Sequence, residues 1–177
     1  MTDKSKRIST LSGVVLFTGI GLMACINPFA PSLGDGDPFT ELLGDPQTVE
    51  GFFTRFQNAY QLRDTTLYGP LIHPNFTFTY RDYDQNVDVT WGRVEEMSST
   101  YGLFLNSQDI RIQWNNIISQ DANQENTQTQ IIRRFDLTVV LEQSDVIRTD
   151  GAVNFIMTRP DSTDNWQLTS WRDESDL

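Results

Sequence analysis

The second half of the chain alternates apolar and polar residues over four long stretches, and this pattern limits the fold more than any other feature. A period of two is typical of strands that bury one face. Polar segments at 121–125 and 142–145 are the predicted turns, with Asp150-Gly151 as an alternative for the second. Long neighbouring strands with short turns predict an antiparallel sheet. The inward residues are Ile110, Ile112, Trp114 and Ile118; Phe135, Leu137, Val139 and Leu141; Gly151, Val153, Phe155 and Met157; and Trp166, Leu168 and Trp171.

The step from Leu168 to Trp171 breaks the alternation of the last strand and predicts a bulge there. A further strand is predicted earlier in the chain, where Phe76, Phe78 and Tyr80 alternate with threonines. A polar, acidic loop is expected to follow that strand at 82–88.

Three amphipathic helices are predicted in the first half of the domain. The first runs over about 47–62, and a short second helix capped by Asp64 ends near Gly69-Pro70. The third begins at about Trp91. Because the sheet needs cover on its apolar face, these helices are expected to pack against it in an α+β domain. The predicted buried faces are Val49, Phe52, Phe53, Phe56, Ala59 and Tyr60 in the first helix, and Val94, Met97, Tyr101 and Phe104 in the third.

The N-terminal segment indicates export. Basic residues precede an apolar run from Leu11 to Ala24, which is shorter than the roughly 20 residues of a spanning helix. The run Leu22-Met23-Ala24-Cys25 resembles the lipobox of bacterial lipoproteins, which implies cleavage after Ala24 and lipidation of Cys25. The alternative is an ordinary signal peptide that leaves Cys25 as a free thiol. The predicted organisation is a signal peptide at 1–24, a lipidated flexible tether at 25–46, whose apolar piece 39–43 could dock on the domain, and the domain at 47–177.

Charge and cysteine content exclude several classes of function. Without residues 1–24, the chain keeps 10 basic residues, all arginine, and 23 acidic residues, for a formal net charge of −13. Such a chain is repelled by nucleic acid and gains nothing from an anionic lipid surface. Membrane contact is therefore expected through the lipid anchor. Cys25 is the sole cysteine, so no internal disulfide is expected, and no cofactor is predicted.

Three stretches resemble the nuclear-transport-factor-2-like superfamily, which includes ketosteroid isomerases and polyketide cyclases. They are Phe53-Thr54-Arg55-Phe56-Gln57-Asn58-Ala59-Tyr60 with Asp64, Leu71-Ile72-His73-Pro74-Asn75-Phe76-Thr77-Phe78, and Trp166 to Glu174. The resemblance covers about residues 47–174. It implies a cone in which a curved antiparallel sheet wraps around the three helices. It also implies a pocket between sheet and helices, and dimerisation through the outer sheet face.

Three side chains are candidates for binding a ligand inside this cone. Arg133 shares the parity of Phe135 and Leu137, and if buried it would need a carboxylate partner or an anionic ligand. The alternative is a rim position with the guanidinium in water. Tyr80 and Trp114 could offer a hydroxyl and an indole N–H to the same cavity, or could be core aromatics.

No catalytic residue is assigned. His73, the only histidine, precedes Pro74 at a helix exit and is interpreted as structural. The superfamily's histidine-dependent dehydratases use more than one histidine. Asp136 has the opposite parity to Phe135, so with Arg134 it is expected on the outer sheet face, in an ion pair or a dimer contact.

The remaining acidic groups have simpler interpretations. Glu95 and Glu96 suit the dipole at the start of the third helix. The loop 82–88 lacks the glycine and the terminal glutamate of an EF-hand, so it is interpreted as a solvated loop and no metal site is predicted.

Three hypotheses of function follow. The first is a membrane-anchored envelope lipoprotein that binds a small apolar ligand or a partner protein without catalysis. The second is an isomerase, dehydratase or cyclase acting on a small apolar substrate. The third is a structural subunit of an envelope complex, with an exposed apolar patch on the outer sheet face near Ile132 and Val140. Ile26 is not the aspartate that typically retains lipoproteins at the inner membrane, so the outer membrane, on its periplasmic side, is predicted.

Overall fold

Two helices of the first half begin at side-chain caps, and one of these caps, Asp64, was predicted. A computed structural model describes residues 38–142 and 144–174. Helix α1 spans Pro38–Leu43, α2 spans Val49–Leu62 and α3 spans Thr65–Tyr68, followed by a 3-10 turn at Gly69–Leu71. The Thr48 hydroxyl accepts the Gly51 N–H at 3.0 Å, and Asp64 Oδ1 accepts the Thr66 N–H at 2.7 Å. The predictions for α2 and α3 are confirmed. The proposed signal peptide, Cys25 and the tether as far as residue 37 lie outside the described residues.

Helix α2 supplies the aromatic centre of the core. The rings of Phe53 and Phe155 stack with centroids 5.7 Å apart, and Phe56 lies 5.8 Å from the same Phe155 ring. Phe155 comes from the sheet, so these contacts join the two layers of the domain. The predicted inward face of α2 is therefore the one that packs.

Six strands form one sheet. They are β1 (Ile72–Asp82), β2 (Val87–Gly92), β3 (Asp109–Ala122), β4 (Gln128–Glu142), β5 (Asp145–Thr158) and β6 (Gln167–Asp173). Their order across the sheet is β2-β1-β6-β5-β4-β3. The four long strands of the second half are confirmed, and the turn before β5 is the one at 142–145. Strand β2 contains residues that were predicted as the end of the acidic loop at 82–88 and as the start of the third helix at about Trp91. Its sequence alternates apolar Val87, Val89 and Trp91 with polar residues, but it was interpreted as the end of the acidic loop and the start of the helix.

The predicted antiparallel arrangement is confirmed for the four long strands, whereas one pair that involves β1 is parallel and makes the whole sheet mixed. Strand β1 pairs with β6 in parallel, with Phe78 opposite Trp171, and the remaining pairs are antiparallel. After β1 and β2, helix α4 carries the chain to the far edge, and the following strands then return one by one. The last strand therefore reaches β1 running in the same direction.

Two irregularities adjust which side chains face the core. Between Ile156 and Met157 the β5–β6 register shifts, and the extra residue in β6 is Thr169, which confirms the predicted bulge. A second shift in β3, between Trp114 and Ile117, was not predicted. It turns Ile117 toward the core and leaves Ile118 51% exposed, so the inward assignment of Ile118 was wrong.

Helix α4 (Arg93–Asn106) is rotated from its predicted orientation. Its buried residues are Glu96, Thr100 and Phe104, whereas Val94 is 77% exposed and Tyr101 is 57% exposed. The prediction followed apolar spacing alone. It failed because the buried face contains polar residues whose hydrogen bonds are made inside the protein.

The chain before α2 packs closely against that helix. A Cβ added to Gly51 would lie 1.9 Å from the carbonyl oxygen of Asp45, so glycine permits the contact. Arg55 Nε donates to the Gly44 carbonyl at 2.7 Å, and Asn58 donates to that of Leu42 at 3.4 Å. Residues 42–45 therefore lie along α2. No helix within the described ranges has the length and apolar character needed to cross a bilayer.

Candidate functional site

Two neighbouring cavities, both partly open to solvent, lie between the helices and the concave face of the sheet. The sheet cavity, of about 180 Å³, lies against β3, β4 and β5, and the helix cavity, of about 190 Å³, lies against α4 and β2. Tyr60, Leu103 and Trp171 line both, so these side chains form the partition between them. The sheet cavity is completed by Ile112, Phe135, Leu137, Thr149, Val153 and Asp173, and the helix cavity by Phe78, Trp91, Glu96, Ser99 and Thr100.

A buried carboxylate is the centre of the polar wall of the helix cavity. Glu96 is only 4% exposed. Its Oε1 accepts the Tyr68 hydroxyl at 2.6 Å and the Thr100 hydroxyl at 3.1 Å. Its Oε2 accepts the indole N–H of Trp91 at 2.8 Å. Three donors thus compensate the carboxylate for its loss of water, and α3, α4 and β2 each supply one.

Two buried tyrosines extend this polar cluster. Burial raises the pKa of the Tyr60 phenol well above its ordinary value, and the negative charge of Glu96 acts in the same direction. Burial likewise raises the pKa of Tyr68, with further contributions from Tyr60 and Glu96. Both phenols are therefore neutral hydroxyls at physiological pH, and Tyr68 uses its proton to donate to Glu96.

Trp171 differs from the other tryptophans of the interior. Its indole packs edge-on against Phe78 at 5.0 Å and Phe155 at 5.2 Å. Its indole nitrogen is buried, and among the described residues it has no hydrogen-bond partner. A buried donor without an acceptor costs free energy unless something else satisfies it. The Trp171 side chain lines both cavities, but its indole nitrogen is not accessible from them.

The structure brings two of the three predicted ligand-binding residues together, against Phe53. The indole N–H of Trp114 donates to the Phe53 carbonyl at 3.0 Å, and the Trp114 ring lies 4.8 Å from the Phe53 ring. The Arg133 side chain is only 11% exposed and bonds Glu50 at 2.9 Å. Its Nε donates to the Asn115 carbonyl at 3.0 Å, and its guanidinium covers the Phe53 ring. The carboxylate partner required for a buried arginine is therefore Glu50. Neither residue lines the two cavities.

Tyr80 lies elsewhere, in an aromatic cluster of β1 and β2. Its ring is 5.7 Å from that of Trp91 and 6.1 Å from that of Phe78, and both of these line the helix cavity. Tyr80 thus packs against two residues of the cavity wall and does not itself line the cavity. The three predicted residues do not converge on one pocket.

Glu96 was not predicted as a site residue. It was interpreted through the helix dipole, together with Glu95, and no carboxylate was placed inside the cone. The available signal was the spacing of Glu96, Thr100 and Phe104 at intervals of four, which puts them on one face of a helix. An apolar residue at the end of that row indicates that its polar neighbours are buried too.

The other ionisable candidates lie away from the cavities. Asp136 is exposed on the outer sheet face, as its parity predicts, and there it accepts the side-chain amide of Asn115 at 2.8 Å. The Nδ1 atom of His73 accepts the Asn75 N–H at 3.1 Å. Ile132 and Val140, proposed for an apolar patch, are half-buried. The described part of the chain holds no cluster of three or more metal-binding side chains.

A third concavity lies on the outside of the helical layer. This surface groove has a volume of about 360 Å³ and is lined by Leu62, Arg63, Thr65, Tyr101, Phe104 and Leu105. Several of its apolar residues are exposed, including Leu62 and Leu105. Arg63 also donates to the Ser107 carbonyl and so ties α2 to the end of α4. The groove contains no buried polar cluster comparable to that around Glu96.

Comparison with known proteins identifies the fold. No family model and no curated protein sequence matches the chain. Among solved structures, a proposed scytalone dehydratase from Novosphingobium aromaticivorans aligns with a TM-score of 0.61 at 12% identity, over 73% of this chain and 82% of that one. A proposed dehydratase of the NTF2-like family from Streptomyces avermitilis aligns at 0.58 and 14% identity, over 73% and 94%. A proposed aromatic ring hydroxylase from Novosphingobium aromaticivorans aligns at 0.60 and 12% identity, over 75% and 90%.

The domain therefore has the nuclear-transport-factor-2-like fold, as the sequence resemblance indicated. At these identities the likeness establishes the fold and no particular activity.

Proposed function

We propose that the domain binds a small, largely apolar molecule in the two cavities inside the cone. The observation that carries this proposal is the meeting of two apolar cavities at a buried polar cluster around Glu96. Ligand sites typically combine apolar walls with a few well-placed polar groups. A cavity of about 150 Å³ already holds one benzene ring. Each cavity, at about 180 and 190 Å³, therefore suits a single ring or a short branched chain.

The contacts of Glu96 favour binding over catalysis. All three of its hydrogen bonds come from protein side chains. These donors occupy three of the lone pairs that a catalytic base would use. Arg133 and Trp114, two polar groups predicted to bind a ligand, also donate hydrogen bonds to protein acceptors. The groups best suited to reaction chemistry are thus used to hold the fold.

Ligand binding is tested by calorimetry with small aromatic probes on the full-length chain. We expect saturable binding that is weakened when Leu103 in the partition is replaced by Trp, because the larger ring takes up part of the space in both cavities. The matched control is Leu105→Trp, since Leu105 is exposed on the same helix and lines neither cavity. Binding that survives Leu103→Trp unchanged would place the ligand elsewhere and contradict the proposal.

An enzyme remains the second candidate, and one observation favours it. Oε2 of Glu96 accepts a single protein donor, so one of its lone pairs is available on the wall of the helix cavity. A carboxylate in that position could remove a proton from a bound carbonyl compound. Glu96→Gln keeps the size of the side chain but removes the base. If exchange of substrate α-protons with solvent is seen in the native protein and lost in this variant, catalysis replaces simple binding as the function.

We further propose that the domain is held at the cell envelope by lipidation of Cys25, on the periplasmic side of the outer membrane. The lipobox-like run 22–25 and the acidic, lysine-free chain after it support this proposal. A protein of this charge does not adhere to anionic lipid without an anchor. Cys25→Ser should leave an unprocessed precursor without diacylglycerol, measured by mass spectrometry and by metabolic labelling with palmitate. Normal processing of that variant would refute lipidation.

A partner protein or a second copy of the chain at the outer sheet face belongs to the third hypothesis. Half-buried Ile132 and Val140 are the apolar residues proposed for it, and around them lie polar residues such as Asp136. Cross-linking in the envelope followed by mass spectrometry distinguishes this structural role from ligand binding. A partner captured through the sheet, combined with no aromatic probe bound by the purified chain, would favour it.

A further inference from the structure

The wall of the helix cavity combines aromatic rings with one carboxylate. Four of the eight side chains that line this cavity are aromatic, and they come from α2, β1, β2 and β6: Tyr60, Phe78, Trp91 and Trp171. The rings of Phe78 and Trp91 stack with centroids 4.3 Å apart, and the Trp171 ring lies edge-on to Phe78 at 5.0 Å. Glu96 is the charged member of the lining. Because the faces of aromatic rings are electron-rich, both kinds of group attract positive charge.

Glu96 has no cationic partner in the described part of the chain. Its three donors, on Tyr68, Thr100 and Trp91, are all neutral groups. No ion pair between described residues includes Glu96, and no basic residue lines either cavity. The charged residue that lines the sheet cavity, Asp173, is also acidic. Because buried carboxylates are usually paired with a cation, the cavities favour a positively charged ligand over a negative one.

Elsewhere in the domain, a carboxylate and an aromatic ring together hold a cation. The Arg133 guanidinium bonds Glu50 at 2.9 Å and lies 4.6 Å from the centre of the Phe53 ring. The helix cavity offers the same two kinds of group, but among the described residues no guanidinium lies over its rings. Pockets lined by several aromatic rings bind organic ammonium ions, because a cation within about 6 Å of a ring centre is attracted to the ring face.

The size of the helix cavity limits the rest of the ligand. Its volume is about 190 Å³, and a cavity of about 150 Å³ holds one benzene ring. The cavity therefore accommodates an ammonium group together with a single ring or a short chain. It is also partly open to solvent, so a charged ligand does not have to lose all of its water on entry.

We propose that the helix cavity binds a small organic ammonium ion, whose N–H group donates to Oε2 of Glu96 and whose charge lies beside the ring of Trp91. This inference rests on the proposed ligand-binding function and names its ligand class. Among the described residues, Oε2 accepts only the Trp91 indole N–H, so it has a lone pair for the ligand. Glu96 thereby selects the charge of the ligand, while the rings and apolar walls supply the remaining affinity.

The test compares three single-ring probes of similar size on the full-length chain at neutral pH: benzylammonium, benzyl alcohol and benzoate. We expect benzylammonium to bind about tenfold more tightly than benzyl alcohol, as for one charge-assisted hydrogen bond, and benzoate to bind most weakly. Glu96→Gln should bring benzylammonium down to the affinity of benzyl alcohol. Glu95→Gln is the matched control, because it removes the same charge from an exposed residue that lines neither cavity; it should preserve the preference.

Two further measurements use the unsubstituted chain, so they do not depend on the folding of Glu96→Gln. High salt screens the attraction of the acidic surface for any cation, and the preference for benzylammonium should persist there. Nuclear Overhauser effects should join the methylene protons of bound benzylammonium to the indole of Trp91.

The outcomes separate this inference from the proposed function. If none of the three probes binds, the proposed function fails and the inference fails with it. If benzyl alcohol binds as tightly as benzylammonium, the domain binds apolar rings but the cavity is not an ammonium site. A preference that disappears at high salt, or equally in Glu95→Gln and Glu96→Gln, would also overturn the inference, as would bound benzylammonium without contacts to Trp91.

Discussion

At the scale of single residues, Arg159 holds together three segments that are far apart in sequence. It is buried, and its Nε donates to the Asn126 carbonyl at 2.8 Å. Its Nη1 donates to the Gln47 carbonyl at 3.0 Å and to that of Asp164 at 3.3 Å. The guanidinium also lies 4.0 Å from the centre of the Trp166 ring. One cation thus joins the start of α2, the β3–β4 turn and the loop before β6.

Replacing Arg159 by Met should lower the free energy of unfolding by about 2–4 kcal/mol, because three partly buried hydrogen bonds from one buried cation are lost together. Urea unfolding followed by circular dichroism measures this loss. Arg111→Met is the matched control, since the Arg111 side chain is 75% exposed and its pair with Asp109 lies at the surface. We expect the control to change stability by less than about 1 kcal/mol. Equal effects of the two substitutions would show that Arg159 is not a structural junction.

At the scale of secondary-structure elements, two helical glycines have opposite roles. Gly51 in α2 lies against the backbone of Asp45, whereas nothing lies within 4 Å of a Cβ placed on Gly102 in α4. The first glycine permits residues 44 and 45 to approach the helix. The second has no packing role that the structure reveals, and it costs helix stability through its backbone freedom.

Gly51→Ala and Gly102→Ala should therefore shift the melting temperature in opposite directions. The first forces a backbone apart and should destabilise the domain by about 2 kcal/mol or more. The second should stabilise it by about 0.5–1 kcal/mol, as expected for Ala in an open helical position. Differential scanning calorimetry measures both. A gain in stability for Gly51→Ala would mean that the segment before α2 does not pack as described.

Whether the sequence predicts an element correctly depends on where its apolar side chains pack and where its polar side chains find hydrogen-bond partners. The face of α2 was predicted because its apolar residues pack directly against the sheet. Strand β2 was missed because it was interpreted as part of an acidic loop, although Asp88 within it pairs with Arg81 at 3.0 Å. The orientation of α4 was only partly right: Phe104 is buried, but the same face also buries Glu96 and Thr100, whose hydrogen bonds are made inside the protein. Apolar spacing alone does not reveal such a face, and the same polar residues hid the candidate site.

At the scale of the whole molecule, the buried phenols make the free energy of unfolding decrease as the pH rises into the alkaline range. Burial raises the pKa of both Tyr60 and Tyr68 in the folded domain. An unfolded tyrosine ionises near pH 10. The folded state therefore keeps protons that the unfolded state releases, so stability is fully present below about pH 10 and falls as the pH rises above it.

In Tyr60→Phe, the free energy of unfolding should fall less steeply with rising pH, by about 1.4 kcal/mol per pH unit, because one phenol that ionises only on unfolding has been removed. The urea midpoint measured between pH 9 and pH 11 gives the slope. Tyr83→Phe serves as the control, since the Tyr83 side chain is 63% exposed. We expect the control to keep the slope of the unsubstituted chain. An unchanged slope in Tyr60→Phe would indicate that its hydroxyl is hydrated in the folded state.

The parallel pairing of β1 with β6 sets the order in which the molecule can be completed. The hairpin of β1 and β2 joins the other described strands of the sheet only through β6. Ile72 and Leu168, which are paired there, are separated by nearly a hundred residues. A chain emerging in order from a ribosome or a translocation pore would carry its first hairpin without its neighbour until the last strand arrives. Closure of the cone, and with it both cavities and the Trp171 partition, thus becomes the final event of folding.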